Sequence, residues 1–233
     1  MSLANKYRPQ TFDQMIGQEH IIDILKAQMM ARDSVHHNYL LFGPRGTGKT
    51  TTARLIAKGL NCLNLQNGNP CNVCDACKLI NEGASLDYVE IDAVDNIREE
   101  IIDKAVYPPT ALRKKIYVID EVHMLSKGAF NALLKTIEEP KSDVCFILAT
   151  TELHKVPDTI ISRCQVFNYR KVAQEAMVGH LEKICKAEGL AASHEALEII
   201  ANISEGHVRD AVKYIDQVSI LGTIDEDNVS KFL

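Results

Sequence analysis

The stretch that decides the fold reads Leu40-Leu41-Phe42-Gly43-Pro44-Arg45-Gly46-Thr47-Gly48-Lys49-Thr50-Thr51. The apolar run predicts a strand, the glycine-rich sequence a loop, and the amphipathic pattern over residues 49–60 a helix. Glycine allows a tight turn and lets backbone N–H groups approach phosphate oxygens without a Cβ in the way. The positive end of the helix dipole adds to this attraction. The stretch therefore predicts a phosphate-binding loop.

Individual residues of this loop suit individual parts of a nucleotide. Lys49 is long enough to reach the β- and γ-phosphates, and the hydroxyl of Thr50 can bind Mg²⁺. The other expected nucleotide-binding residues of the loop are Gly43, Gly46, Thr47, Gly48 and Thr51. The alternative is a glycine-rich turn that precedes a helix and binds nothing. The strand before the loop and the helix after it favour nucleotide binding.

The sequence around this loop alternates apolar runs with amphipathic stretches. Continuous apolar runs such as Tyr117-Val118-Ile119 are typical of strands buried on both faces of a parallel sheet. We predict an α/β domain over residues 1–169, with a parallel five-stranded sheet, and a small all-α domain over residues 170–233. The predicted strands are 38–42, 87–92, 116–120, 144–150 and 165–169; the further helices are 18–31, 97–105, 127–138, 173–188, 194–203 and 208–221.

Two carboxylates end one predicted strand. Asp120 and Glu121 follow Ile116–Ile119, and ligands of parallel sheets meet the carboxyl ends of strands. Since successive strand residues point to opposite faces, the two carboxylates can take separate tasks. Asp120 would hold Mg²⁺ and Glu121 would polarise an attacking water. An acidic turn after a strand is the alternative, and we interpret the neighbouring His123 as a packed or hydrogen-bonded residue.

A cluster of cysteines follows the phosphate-loop helix. Cys62, Cys71, Cys74 and Cys77 have the spacing C-x8-C-x2-C-x2-C, and four thiolates satisfy tetrahedral Zn²⁺. We name residues 61–79 the cysteine module and predict that it is a zinc module, with an iron–sulfur cluster or buried cysteines as alternatives. Four ligands would make the site structural. We interpret the three other cysteines as small apolar residues.

Composition limits the class of protein. The 233 residues carry 26 basic and 31 acidic side chains, a net charge of −5, which argues against a nucleic-acid coat protein. An apolar run of the ~20 residues needed to cross a bilayer is absent, and residues 1–6 do not resemble a signal peptide. We expect a cytoplasmic protein that does not enter a membrane.

Several motifs occur together in a characteristic order. They are the phosphate loop, Asp120-Glu121-Val122-His123, Ala149-Thr150-Thr151, Ser162-Arg163-Cys164 and Gly206-His207-Val208-Arg209-Asp210. Near the N-terminus stand Tyr7-Arg8-Pro9 and Ile16-Gly17-Gln18, and further on Gly128-Ala129-Phe130-Asn131. In this order the chain resembles AAA+ ATPases, and more narrowly the gamma/tau family of bacterial DNA polymerase III clamp-loader subunits. The resemblance runs through essentially the whole chain.

This resemblance implies roles for residues that the patterns alone leave open. Thr151 resembles the sensor near the γ-phosphate, and Arg163 resembles the arginine finger that completes a neighbouring subunit's site. Arg209 resembles the second sensor, which couples the nucleotide to the lid domain. Tyr7 and Arg8 stand where the family contacts the adenine or neighbouring nucleotide groups. The resemblance also supports the zinc module.

The resemblance further implies an ATP-driven motor that opens a sliding clamp and loads it on primed DNA. Its cofactors would be ATP or ADP, Mg²⁺ and Zn²⁺; its partners would be related ring subunits, the clamp and primer–template DNA. Members of the family are classified as nucleotidyltransferases because they belong to the polymerase holoenzyme. The sequence itself contains no polymerase set of catalytic carboxylates apart from the ATPase residues. The chain ends without the family's collar domain, so we expect two domains of a longer protein, monomeric alone. The loop at 93–96 is shorter than is usual for the family.

Two competing functions stay open on sequence grounds. One is another AAA+ motor such as a branch-migration helicase, which would carry a second lid pattern and no cysteine cluster. The other is a zinc-containing interaction module that binds nucleotide without turnover.

Overall fold

A computed structural model of the chain describes residues 2–32, 38–93, 107–139 and 143–232. Within these ranges, five parallel strands form one sheet in the order β2-β3-β4-β1-β5. The strands are β1 (Asn38–Phe42), β2 (Tyr88–Asp92), β3 (Lys115–Asp120), β4 (Val144–Thr150) and β5 (Gln165–Asn168). The sequence prediction of a parallel five-stranded α/β sheet is confirmed.

Helices connect and follow these strands. They are α1 (Leu3–Lys6), α2 (Glu19–Met30), α3 (Lys49–Asn61), α4 (Asp75–Glu82), α5 (Lys127–Glu138), α6 (Asp158–Ile161), α7 (Gln174–Glu188), α8 (His194–Ile203), α9 (Val208–Val218) and α10 (Glu226–Phe232). Sequence analysis did not predict α1, α4, α6 or α10, three of which are seven residues or shorter. The predicted helix at 97–105 lies outside the described residues.

Apolar side chains cover the sheet on both faces. Leu41 packs into a core with Leu55 and Ile56 of α3, whereas its neighbour Leu40 packs into a second core with Leu133 of α5. All seven residues of β4 are buried. The continuous apolar runs therefore reflect strands with helices on both sides.

The register of the strands brings three loops to one edge of the sheet. Phe42, the last residue of β1, pairs with Thr150 at the end of β4, and Asp92 of β2 pairs with Asp120 of β3. Because the strands are parallel, the residues that follow them lie along the same edge. The phosphate loop, the acidic pair and Thr151 thus meet there.

A separate core holds the helical region together. Leu181 of α7, Ile200 of α8 and Ile215 of α9 are buried in it, and Leu3 and Tyr7 pack against it from the N-terminus. The N-terminal residues thus contact the helical region, and the predicted boundary at 169/170 stays a prediction. Among the described residues, no helix has the length and hydropathy needed to cross a membrane.

Gln18 ties the sheet to the helical region. Its side chain is fully buried; its amide Nε2 donates to Arg170 O at 2.6 Å, and its Oε1 accepts from Arg170 N at 3.2 Å. One amide therefore satisfies both backbone groups of the residue that leaves β5 for α7. In the sequence, Gln18 was noticeable only as part of a family signature and as the first residue of the predicted helix 18–31, which begins at Glu19.

Candidate functional site

The phosphate loop leaves β1 at Gly43 and enters α3 at Lys49. Gly46 and Gly48 have left-handed backbone angles, with φ of +73° and +101°. A Cβ at Gly48 would lie 2.6 Å from the terminal methyl of Met15, and one at Gly43 would lie 2.5 Å from Tyr169 O. Larger residues would therefore displace either the loop or its neighbours.

Lys49 is held in the loop by carbonyl groups. Its ammonium donates to Gly43 O at 2.7 Å and to Pro44 O at 2.8 Å, and the residue is buried. Burial lowers the pKa of Lys49, while Glu121 and Asp120 act in the opposite direction. A buried ammonium bonded to neutral carbonyls is suited to an incoming anion, because a phosphate offers it stronger partners.

Thr50 and Asp120 meet below the loop. Thr50 Oγ1 donates to Asp120 Oδ2 at 2.6 Å, and Asp120 Oδ1 accepts from the backbone N–H of Glu121 at 3.0 Å. A hydroxyl and a carboxylate side by side are the ligands that P-loop proteins offer to Mg²⁺. The donor set therefore fits the predicted magnesium position.

Glu121 departs from the expected strand geometry. The strand ends at Asp120, and Glu121 has φ of +49°, so the simple alternation of strand faces does not apply to this pair. Both residues line the same cavity. Thr151 lies at the end of β4 and its hydroxyl donates to Glu121 Oε2 at 3.1 Å. The predicted sensor and the predicted general base are thus in direct contact.

Three residues without a predicted catalytic role surround this contact. His123 Nδ1 lies 2.9 Å from Thr150 Oγ1 and 3.3 Å from Glu121 Oε2, while its Nε2 lies 3.3 Å from Glu152 Oε1. The imidazole is 6% exposed. The interpretation of His123 as a hydrogen-bonded neighbour is confirmed. The contribution of Glu152 could not be seen in the sequence, since it depends on the pairing of β3 with β4.

A cavity of about 430 Å³ lies between the phosphate loop and the helical region. Its lining includes the following predicted site residues: Tyr7, Arg8, Gly46, Thr47, Gly48, Lys49, Thr50, Thr51, Asp120, Glu121 and Arg209. Arg209 is in the first turn of α9, and Arg8 enters from the N-terminus. Burial lowers the pKa of Arg8, with a further lowering from the nearby cations Arg54 and Arg209. Clustered cations at one wall favour an anionic ligand.

The Tyr7 hydroxyl forms a hydrogen bond with the helical region. It donates a short hydrogen bond to Glu188 Oε1 at the end of α7, where Lys6 also pairs with Glu188 at 2.6 Å. The hydrogen bond to Glu188 raises the pKa of Tyr7. The tyrosine thus lines the cavity while its polar end contacts the helical region.

Arg163 and Thr151 do not line this cavity. Arg163 follows α6, and its guanidinium donates to Thr159 O at 2.7 Å and pairs with Glu138 Oε1 at 2.8 Å. The Arg163 side chain is 39% exposed. The structure therefore brings most predicted site residues together and leaves Arg163 partly exposed outside this cavity.

The cysteine module brings its four thiols together. The Sγ atoms of Cys62, Cys71, Cys74 and Cys77 all lie within 4.8 Å of one another. A tetrahedral zinc with Zn–S bonds of about 2.3 Å requires sulfur atoms about 3.8 Å apart, so the cluster fits the metal after a small contraction.

Hydrogen bonds in the module favour a thiolate at Cys71. Cys71 N donates to Cys62 Sγ at 3.3 Å, and Cys74 N donates to Cys71 Sγ at 3.4 Å. Burial opposes ionisation of Cys71, but hydrogen bonds from the backbone of Val73 and Cys74 and from the Cys62 and Cys74 thiols lower the pKa of Cys71 to about 6. Burial raises the pKa of Cys62 and Cys77. Thiolate is the form that binds metal. The shortened loop at 93–96 lies, apart from Ala93, outside the described residues.

Two family models match the chain. The model described as DNA polymerase III, delta subunit, matches residues 17–173, and the model described as DNA polymerase III clamp loader subunit, ATPase lid domain, matches residues 176–223. The chain belongs to the DNA polymerase III clamp-loader ATPase family. The two matches together span both regions of the fold.

Curated relatives agree with this family. The chain is 49% identical over 229 residues to DNA polymerase III subunit tau of Bacillus subtilis, covering 96% of the chain and 40% of the relative. It is 44% identical over 243 residues to subunit tau of Escherichia coli, covering 97% of the chain and 38% of the relative. The chain thus spans about two fifths of the length of these relatives.

A solved structure shares the fold at low identity. The RuvB Holliday junction branch migration motor of Thermotoga maritima matches with a TM-score of 0.73 at 22% identity, covering 97% of the chain and 71% of that structure. At this identity, the likeness shows the fold alone. The relatives at 49% and 44% identity are named as DNA polymerase III subunits and one family model is described as a clamp-loader lid domain, which separates this chain from the branch-migration alternative.

Proposed function

We propose that the chain is an ATP-binding and ATP-hydrolysing motor of a clamp loader, which opens a sliding clamp and loads it on primed DNA within the DNA polymerase III holoenzyme. The observation that carries the proposal is the contact of Thr50 with Asp120 at 2.6 Å beneath the phosphate loop, in the cavity that Glu121 and Arg209 also line. Metal ligands, a general base and cations surround one space of nucleotide size.

The residues of the loop would bind the phosphates. Backbone N–H groups at the start of α3 would hold them, and the Lys49 ammonium would exchange the carbonyls of Gly43 and Pro44 for phosphate oxygens. Thr50 and Asp120 would hold Mg²⁺, which neutralises charge on the phosphate oxygens when bound. Arg209 would contact the phosphates from the helical region.

Glu121 would act on the attacking water. Its carboxylate is held by the Thr151 hydroxyl at 3.1 Å and by the His123 imidazole at 3.3 Å. In the proposed reaction, the Glu121 carboxylate orients a water and accepts its proton. Thr151 would move between the carboxylate and the γ-phosphate as the site fills.

Arg163 would complete the site of a neighbouring subunit. The Arg163 side chain is 39% exposed and does not line the chain's own cavity, and both observations support this assignment. An arginine finger is worth 10³–10⁵-fold in turnover. The chain alone would therefore hydrolyse ATP slowly.

The remaining features follow from the same assignment. The cysteine module would bind one structural zinc, residues 1–169 and 170–233 would form the ATPase and lid domains, and the partners would be related ring subunits, the clamp and primer–template DNA in the cytoplasm. Tyr7 and Arg8 would contact the adenine side of the nucleotide. We do not propose nucleotidyl transfer by this chain, since the comparisons give it no support.

Two substitutions test the proposal. Lys49→Ala removes the phosphate-binding ammonium and should abolish binding of a fluorescent ATP analogue. Glu121→Gln keeps the size of the side chain and should preserve binding while it lowers ATP turnover in the assembled loader at least 100-fold, the lower end for lost general base catalysis. The exposed Glu82 at the end of α4 provides a control in Glu82→Gln. Binding without any turnover in the native complex would instead favour the interaction module.

A further inference from the structure

The N-terminal segment, residues 8–16, has two faces. Arg8, Pro9, Gln14, Met15 and Ile16 line the cavity beside the phosphate loop. Between them, Gln10, Phe12 and Asp13 form hydrogen bonds with the cysteine module, and Gln10 also accepts from Lys58 in the C-terminal half of α3. The segment thus contacts both the cysteine module and the cavity of the proposed nucleotide site.

Asn69 holds the middle of this segment. Its Oδ1 accepts from Phe12 N at 2.8 Å and from Asp13 N at 3.4 Å, and its Nδ2 donates to Asp13 Oδ2 at 2.8 Å. Asn69 is 7% exposed and Phe12 is fully buried. One buried amide therefore fixes the backbone just before Gln14 and Met15, because buried polar groups are costly to leave unpaired.

Lys58 and Asn72 hold the start of the segment. The buried Lys58 ammonium donates to Asn72 Oδ1 at 2.7 Å, to Gln10 Oε1 at 2.9 Å and to Gln10 O at 3.3 Å. Asn72 Nδ2 also donates to Gln10 O at 3.0 Å. A buried ammonium requires its acceptors in place, so the positions of Gln10 and Asn72 are fixed together.

Lys58 also connects this network to the cysteine cluster and to the phosphate loop. Its acceptor Asn72 directly follows Cys71 in the chain and precedes Cys74 by two residues. Helix α3 begins at Lys49 in the loop and ends one residue before Cys62. At 1.5 Å per residue, Lys58 lies about 14 Å along this helix from Lys49. A single rigid element thus sets the spacing of the two sites.

We propose that the cysteine module positions the nucleotide pocket. Lys58, Asn69 and Asn72 hold the N-terminal segment, so that Arg8 and Met15 of the segment face the nucleotide. These hydrogen bonds couple the metal occupancy of the module to the nucleotide affinity of the pocket. The inference rests on the proposed nucleotide site and assigns it positioning residues. Loosening the segment adds an ordering cost to each binding event, which weakens affinity without touching a residue of the cavity.

A matched pair of asparagines tests the proposal. Asn72 and Asn67 both lie in the module with left-handed φ, +61° and +50°, which glycine adopts readily. Asn67 is exposed, and the described hydrogen bonds do not link it to the segment. Asn72→Gly should raise the Kd of a fluorescent ATP analogue three- to tenfold, the loss expected for about one hydrogen bond. Asn67→Gly should leave the Kd unchanged, and both variants should retain one zinc per chain.

Two further measurements make the outcome decisive. Hydrogen exchange at the amides of Phe12 and Asp13 should accelerate in Asn72→Gly and stay native in Asn67→Gly. Coupling is reciprocal, so saturating nucleotide should raise the zinc affinity of the native chain, measured against a chromophoric chelator, by the same factor by which zinc raises nucleotide affinity.

The possible results distinguish a failure of the positioning role or the coupling from a failure of the proposed nucleotide binding. Equal Kd values and equal exchange in the two variants, with the native chain binding nucleotide, would overturn the positioning role alone. Zinc affinity that does not respond to nucleotide would overturn the coupling. A native chain that binds no nucleotide, with the fold intact, would overturn the proposed function and this inference together.

Discussion

The phosphate loop and the cysteine module lie at opposite ends of α3, and their ligand groups differ in kind. The loop offers backbone N–H groups and a few side chains around a cavity of about 430 Å³, whereas the module offers four thiols within 4.8 Å of one another. A site of the first kind admits and releases a ligand, and one of the second kind encloses a metal. With both proposed ligands bound, a single helix would carry an exchanging nucleotide site at one end and a permanent metal site at the other.

Replacing Arg163 tests whether the proposed nucleotide site needs an arginine from a neighbouring subunit. Arg163→Ala should lower ATP turnover of the assembled loader 10³–10⁵-fold with ATP affinity retained, because the finger stabilises charge that develops in the transition state. Arg170→Ala, at another exposed arginine near β5, is the control. Undiminished turnover in Arg163→Ala would contradict a finger acting between subunits.

Replacing one cysteine tests whether the four thiols of the cysteine module bind zinc. Cys77→Ser should abolish stoichiometric zinc and lower the melting temperature, since metal binding in small zinc domains is worth about 10 kcal/mol and is coupled to folding. Cys185 is also buried, but it lies in α7 away from the cluster, so Cys185→Ser should retain zinc. Metal analysis of both variants decides between a zinc site and buried free cysteines.

One glycine in the phosphate loop and one that follows the cysteine module both have a left-handed backbone but different surroundings. Gly48→Ala forces a Cβ to within 2.6 Å of the Met15 methyl at φ of +101°, and we expect nucleotide affinity to fall at least tenfold with about 1–3 kcal/mol of strain. Gly83 ends α4 at φ of +63° with nothing within 4 Å of the added Cβ. Gly83→Ala should cost about 1 kcal/mol in denaturant unfolding and leave nucleotide affinity native. Equal affinities in the two variants would contradict the assigned role of the loop.

The smallest expected effect is a difference in pH response. Burial lowers the pKa of Lys49, so in the empty site its ammonium loses its proton at a lower pH than an ordinary lysine. Phosphate binding needs the charged form, and nucleotide affinity should therefore decline as the pH rises towards 10, by at most tenfold per unit. Zinc shows the reverse, since thiolates bind the metal and acid releases it. Binding titrations with nucleotide and with zinc from pH 5 to 10 measure where nucleotide affinity falls at high pH and where zinc affinity falls at low pH.

Local sequence predicted those parts of the molecule whose geometry is itself local. The glycines before Lys49 and the two-residue gaps between cysteines fix backbone paths over a few residues, and both could be interpreted directly. The strands were predictable because residues such as Leu40 and Leu41 face opposite cores in a parallel sheet. The short helix α4 was missed because it begins at the cysteine cluster, where metal spacing obscured the helical pattern.

Long-range contacts were not predictable. Asn69 and Phe12 are 57 positions apart, and Gln18 and Arg170 are 152 positions apart, so no spacing rule connects either pair. Glu121 was expected to follow strand alternation, but the left-handed turn at this residue directs both carboxylates to one cavity. Such features depend on the way the assembled sheet and the N-terminal segment pack.

The contacts of the N-terminal segment have a consequence for sequence drift. Gln10 O, Phe12 N and Asp13 N are backbone groups, and any residue except proline supplies the same N–H or carbonyl. Their partners are the side chains of Lys58, Asn69 and Asn72, which few other residue types could replace. An exchange at position 10 removes the Gln10 Oε1 acceptor but leaves Lys58 with Gln10 O and Asn72 Oδ1. In a library of random substitutions, we therefore expect position 10 to accept more exchanges than positions 58, 69 and 72. The two halves of one interface would then evolve at different speeds.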